Sequence, residues 1–274
     1  MEHKKLKPLP IGIQTYSEVI NRGCLYIDKT KYIVKMQEAS KYIFLSRPRR
    51  FGKSLLVSTL QAYFEGKKEL FKGTYIYSAK KEWTEYPVLR FDLSTAKHAN
   101  AEELKQELDS KLSAYEQIYG KGLPTLVKLN QRLQGLIERA HAQTGNQVVL
   151  LFDEYDAPLL DVVHKQDQLE QLREVMRNFY SPLKYSDPHL KFVFITGITK
   201  FSQLSIFSEL NNLRNISMGE EYAAVCGITT DEVLSQMHDY IEQMAIKSKK
   251  SHDEVFAALK RQYDGYHFTW PSPD

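Results

Sequence analysis

The run Val148-Val149-Leu150-Leu151-Phe152 sets five apolar residues side by side and stops at two acids, Asp153 and Glu154. A segment that is apolar at every position offers no face to water. At this length it reads as a central strand covered on both sides. A parallel sheet flanked by helices provides that cover, and the rest of the chain is patterned to build one. Apolar runs at Tyr42-Ile43-Phe44-Leu45, Val88 to Leu93 and Phe192-Val193-Phe194-Ile195 predict further strands, with a short fifth near Asn215 to Met218. Between them lie helical stripes: Ser54 to Phe64; Leu104, Leu108, Leu112 and Tyr115; Leu126, Leu129, Leu133, Ile137 and Ala140; and Leu169, Leu172, Met176 and Phe179. From Gly219 onward the strand signal ends. Val233, Met237, Ile241 and Met244, then Val255, Leu259 and Tyr263, predict a small helical subdomain. The division expected is an N-terminal segment over 1–40, an α/β core over 41–218 and a lid-like helical part over 219–274.

The first strand runs directly into Arg47-Pro48-Arg49-Arg50-Phe51-Gly52-Lys53-Ser54-Leu55, and a helix follows. Strand, loop and helix is the context a phosphate-binding loop requires. A polyphosphate needs backbone N–H groups at a helix start, a lysine for its terminal phosphates, and a hydroxyl ligand for magnesium. Gly52, Lys53 and Ser54 supply these in order. The general pattern G-x-x-x-x-G-K-[ST] asks for glycine at position 47, where this chain has arginine; a bare helix start capped by Ser54 is the competing reading.

The acidic strand end completes the constellation. An apolar strand ending in Asp153-Glu154 suits a site in which the aspartate holds the magnesium shell and the glutamate polarises the attacking water. The alternative is a polar turn made by Asp153, Glu154 and Asp156 before Pro158. Taken together, the two motifs predict a P-loop NTPase of the AAA-like branch, with sheet order 5-1-4-3-2, binding ATP and Mg2+. Lys53, Glu154 and Thr196 are the candidate catalytic residues, Ser54 and Asp153 the metal ligands, and positions 47 to 55 the nucleotide loop. Thr196, at the end of the fourth strand, either touches the γ-phosphate and its water or satisfies local backbone. Arg49 and Arg50 either stabilise transition-state charge or cover surface, and Arg173, Arg177 and Arg214 are candidates for acting in trans across a homo-oligomer.

Composition mainly excludes. A net charge of +3 is too small to argue for nucleic acid, and the Lys4, Lys5 and Lys7 cluster reads as a solvated tail. Cys24 and Cys226 lack metal-ligand spacing. With no long apolar stretch for a membrane span or signal peptide, a cytoplasmic protein is expected. Asp92 with Glu103-Leu104-Lys105 is the nearest approach to a nuclease signature, and the latter three fall on a predicted helix.

The loop from Arg47 to Leu55, with Tyr26-Ile27-Asp28-Lys29-Thr30 before it and Phe152-Asp153-Glu154-Tyr155-Asp156 after it, resembles the bacterial AAA-ATPase-like family. The likeness extends over Leu9-Pro10-Ile11-Gly12, Phe64-Glu65-Gly66, Tyr86-Pro87-Val88, Thr196-Gly197-Ile198 and Tyr263-Asp264-Gly265-Tyr266-His267-Phe268. In that family arginine is the expected residue at position 47. The resemblance implies ATP binding, a C-terminal domain similar to PD-(D/E)XK nucleases beyond these 274 residues, and through it a DNA-directed role. Two functions follow from the residues: an ATP-hydrolysing switch, or a non-catalytic nucleotide-gated adapter that recruits a nuclease or other partner.

Overall fold

Side chains of a strand point alternately to its two faces, and β3 (Val148–Asp153) shows what that does here. Val148, Leu150 and Phe152 enter one core, and Val149 and Leu151 enter a second core on the opposite face. Every residue of the strand is buried, so no face is left for water. In this computed structural model, which describes residues 6–199, 206, 207, 210, 212–266, 268 and 269, β3 pairs in parallel with β2 (Val88–Asp92) and with β4 (Leu190–Gly197). On the other side of β4 lie β1 (Tyr42–Ser46) and the short β5 (Arg214–Asn215), also parallel. The order is β2-β3-β4-β1-β5, which read from the β5 edge is 5-1-4-3-2.

Twelve helices among the described residues accompany the sheet. They are α1 (Tyr16–Asn21), α2 (Lys31–Ala39), α3 (Lys53–Phe64), α4 (Tyr75–Ala79), α5 (Ala101–Tyr119) and α6 (Leu129–Thr144), followed by α7 (Ala157–Asp161), α8 (Gln166–Tyr180) and α9 (Pro182–Tyr185). The last three are α10 (Thr230–Gln236), α11 (His238–Ser248) and α12 (His252–Tyr263). The helix α5 starts where Asn100 accepts from the N–H groups of Glu102 and Glu103, each at 3.0 Å, and its Leu104, Leu108 and Leu112 join Leu133, Ile137 and Met176 of α6 and α8 on the Leu150 face. α1, α2 and α3 cover the Leu151 face. Beyond the sheet, α10 and α12 both open with capping boxes, Thr229 with Glu232 and Ser251 with Glu254.

Two boundaries differ from the sequence reading. Leu126 sits in a turn rather than in α6, its N–H donating to Leu123 at 2.9 Å. β5 stops earlier than expected because the Asn215 side chain accepts from the Ser217 N–H at 2.9 Å, turning the chain away from the ladder. Lys4, Lys5 and His267, singled out in the sequence, lie outside the described residues.

Strand parity decides which side chains meet at the sheet's C-terminal edge. Asp153 continues the Val149 and Leu151 face, so it points toward α3, whose first residue is Lys53. On β2 the same parity sends Arg90 and Asp92 to that side, and Arg90 reaches both Gln61 of α3 and Asp153 at 3.4 Å.

At the end of β4 only a glycine fits. A Cβ on Gly197 would lie 2.5 Å from Asp156 Oδ1 and 2.6 Å from two Tyr155 ring carbons. Neither neighbour yields easily, since Asp156 is fully buried and accepts from Ile198 N, Thr199 N and Thr199 Oγ1. Gly197→Ala is therefore expected to destabilise the chain by about 2–3 kcal/mol, as overpacked sites do, measurable by denaturant unfolding; an unchanged midpoint would mean the edge is looser than this geometry.

Candidate functional site

The loop between β1 and α3 is shaped by two residues of left-handed backbone, Arg50 (φ 67°) and Gly52 (φ 86°). Glycine accepts that conformation without steric cost, and Gly52 is the N-cap of α3. Because Gly52 has no side chain to cap the helix, its start is left open. Among the described residues the N–H groups of Gly52, Lys53 and Ser54 meet no acceptor. Unsatisfied donors at a helix start carry the positive end of its dipole and attract anions.

Lys53 turns inward. Its Nζ lies 2.9 Å from Glu154 Oε1 and donates to the Pro48 carbonyl at 3.1 Å, with a side chain only 2% exposed. The loop and the strand end thus meet directly. Glu154 itself holds φ 51°, a conformation that costs a non-glycine residue of order 1 kcal/mol. Tyr155 N–H donates to the Thr196 carbonyl at 2.9 Å and fixes the turn that carries it.

Asp153 is wholly buried, and its Oδ1 has no hydrogen-bond partner among the described residues. Burial first, and the nearby Asp92 second, raise its carboxyl to about 6; the Ser54 hydroxyl and the Arg90 guanidinium beside it pull the other way. A carboxylate in this state is short of positive charge. Ser54 and Asp153, named as metal ligands from the sequence, are thus together.

Other candidates make contacts of their own within the fold. The Arg47 guanidinium is buried and donates to the carbonyls of Ser46 (2.9 Å), Ser217 (2.6 Å) and Tyr222 (3.0 Å), with Phe268 4.2 Å from it. Its buried Nε has no hydrogen-bond partner among the described residues, while the guanidinium ties the loop to the chain after β5. That explains why arginine can stand where the general loop pattern has glycine. Thr196 donates its hydroxyl to the Leu45 carbonyl at 2.9 Å, joining β4 to β1, which is the local-backbone alternative in geometric form. Phe51 packs edge-on to Tyr266 and Phe268. Arg49 and Arg50 are exposed. Arg173 pairs with Glu170 at 2.5 Å and Arg214 with Glu221 at 2.9 Å. Glu103 caps the backbone at Ala99 from α5, as a helical residue does.

Beside the loop opens a cavity of about 250 Å³. Leu55 and Thr59 of α3 form its floor, and Leu9, Pro10, Tyr26 and Ile27 one wall. Val225, Cys226, Ile228 and Met237, on the approach to α10 and α11, form the other. Burial pushes the Cys226 thiol up to about 11, so it is a neutral wall residue at ordinary pH. Both cysteines are free and buried. Sequence reading missed this cavity, since its walls come from segments about 200 residues apart and carry no local pattern. It also missed Arg90, which the alternation along β2 would have placed opposite Asp153.

Residues 10–207 match the family model described as a predicted AAA-ATPase. A relative from Azotobacter chroococcum mcd 1, described as an uncharacterized protein in the vnfD 5' region, is 39% identical over 229 residues, which is 83% of this chain and 44% of the relative. The chain therefore spans less than half the length of that relative. No helix among the described residues is long and apolar enough to cross a membrane.

Proposed function

Since the chain belongs to the family of predicted AAA-ATPases, we propose that it binds Mg-ATP between the Gly52-Lys53-Ser54 loop and the Asp153-Glu154 strand end, and hydrolyses it. The observation that carries this reading is the meeting of Lys53 and Glu154 at 2.9 Å, beside a helix start whose N–H groups have no acceptor. The triphosphate lies along those N–H groups, with Lys53 on its terminal phosphates. The base enters the adjoining apolar cavity.

The residues at the strand end fit magnesium. All candidate donors are oxygens, as that ion prefers, and the buried Asp153 Oδ1 lacks a partner. Ser54 and Asp153 would hold the ion, which when bound neutralises charge on the β- and γ-phosphates. The protein's own steps follow from the Lys53–Glu154 pair. Without nucleotide each neutralises the other. An arriving phosphate competes for Lys53, and its departure frees the Glu154 carboxylate to accept a hydrogen bond from water and orient it toward phosphorus. Thr196, engaged with Leu45, holds the adjacent strands in register beneath this step.

The competing adapter reading keeps nucleotide bound and does no chemistry. Purified chain with ATP separates the two: sustained phosphate release that needs Mg2+ and continues beyond one equivalent per chain is the expected result. Tight nucleotide binding with release stopping at or below one equivalent would assign the adapter role instead.

A further inference from the structure

The motif Tyr26-Ile27-Asp28-Lys29-Thr30 is not used by the chemistry above, and the structure gives it separate work. Asp28 and Thr30 face the sheet-side body: Asp28 accepts from Thr30 N at 2.8 Å and from Tyr75 N at 2.7 Å, and Thr30 Oγ1 accepts from Ile76 N at 3.0 Å. Lys29, between them, points the other way. Its Nζ lies 2.6 Å from Glu232 Oε1 and 2.5 Å from Oε2, a two-point contact across 203 positions of sequence. The side chains are only 10% and 16% exposed. Glu232 is also the capping-box residue of α10, accepting from Thr229 N at 2.8 Å, so the bond grips the helix at its start.

This pair stands at the cavity. Lys29 is one of its wall residues, with Tyr26 and Ile27 on the same side, while Val225, Ile228 and Met237 flank the chain that carries Glu232. The two walls come from different parts of the fold, and among the described residues few other bonds join them near this place: Gly227 N to Phe51 O at 2.9 Å, and Tyr240 Oη to Lys7 O at 2.5 Å. Any motion that parts the two walls breaks the Lys29–Glu232 contact. Burial lowers the Lys29 pKa, and Glu232 works against that, so parting the pair without hydration is costly.

We infer that Lys29 and Glu232 form a latch that closes α10 over the nucleotide cavity and sets how long a nucleotide stays bound. They are positioning residues, touching neither phosphate nor metal, and the inference rests on the nucleotide reading above. A latch that closes over a bound ligand slows dissociation more than association, because affinity differences among variants of one site lie mostly in the off-rate.

The test uses ATP carrying a fluorescent methylanthraniloyl group on its ribose, with Mg2+, chased by excess ATP in a stopped-flow instrument. Glu232→Gln, which still caps α10, and Lys29→Met are each expected to speed release at least tenfold while association changes less than threefold. The double variant Lys29→Met with Glu232→Gln is expected to release nucleotide no faster than the faster single variant, because each change removes the same contact. A purely structural role would instead lower the folded fraction and leave the release rate of the folded part unchanged, which circular dichroism and active-site titration separate. Hydrogen exchange on the unaltered chain reads the same event without substitution: nucleotide should slow exchange at residues 229–236 and 27–30 together. Release within twofold of the parent in both single variants, or protection at neither segment, overturns the latch. If the parent chain binds no labelled nucleotide at all, it is the nucleotide reading that fails, and the latch falls with it.

Discussion

Glu154→Gln is expected to reduce phosphate release by about a hundredfold or more, the scale of losing a general base, while nucleotide binding survives. The substitution keeps the side chain's size and its hydrogen bond to Lys53, so the loop should not move. The left-handed backbone at position 154 is no harder for glutamine than for glutamate. What is lost is the negative charge that orients water. Because Lys53 also loses its counterion in the nucleotide-free chain, the amide competes less well with phosphate, and ATP should bind as tightly as before or tighter. Lys53→Ala tests the same pair from the other side: it leaves Glu154 without its partner and removes the phosphate contact, so both binding and turnover should fall. Phosphate release measured beside equilibrium binding of labelled ATP distinguishes the two variants. Turnover of the glutamine variant within threefold of the parent would remove Glu154 from the reaction.

The central strand and the loop were legible because each is a local pattern. Five consecutive apolar residues from Val148 can be read only one way in a sheet, and Gly52-Lys53-Ser54 following a strand carries its own geometry. The site's other half was not legible, for a physical reason: its contacts join distant segments through side chains with no periodic constraint. Arg47 shows the limit. As a residue type it suggests phosphate, yet its burial sends it to the carbonyls of Ser46, Ser217 and Tyr222. Thr196 shows the same, since a hydroxyl at a strand end serves a neighbouring strand or a ligand with equal ease, and only the fold reveals that it donates to the Leu45 carbonyl. Lys29 is the reverse case: the motif was visible in the sequence, but Glu232, its partner, stands too far along the chain for spacing to announce it.

Asp153→Asn is expected to make the nucleotide-free chain more stable while disabling it. Burial and Asp92 hold the Asp153 carboxyl at about 6 against an ordinary 3.8, so keeping it ionised in the folded chain near pH 7 costs about 3 kcal/mol. The amide carries no charge to desolvate, although it remains a buried polar group, and a net gain of about 1–2 kcal/mol is expected, or roughly 2–8 °C in Tm for a chain of this size. The pH dependence follows from the direction of the shift. The folded chain holds the Asp153 proton more tightly than the unfolded chain does, so the parent loses stability as pH rises from about 4 to about 6, and the full penalty stands above that window. The stabilisation by asparagine should therefore be full at pH 7.5, vanish at about pH 5, and reverse by about pH 4, where the carboxyl penalty is gone and the cost of the buried amide remains. Thermal unfolding of both chains across that range checks the window; a constant difference at every pH would mean the carboxyl's charge is not its source. Magnesium reverses the ranking, because the charge that penalises the empty fold is what a divalent ion requires. With ATP and Mg2+ present, the parent should gain thermal stability and the asparagine variant little, so the residue that strains the empty site is the one that makes binding depend on the metal.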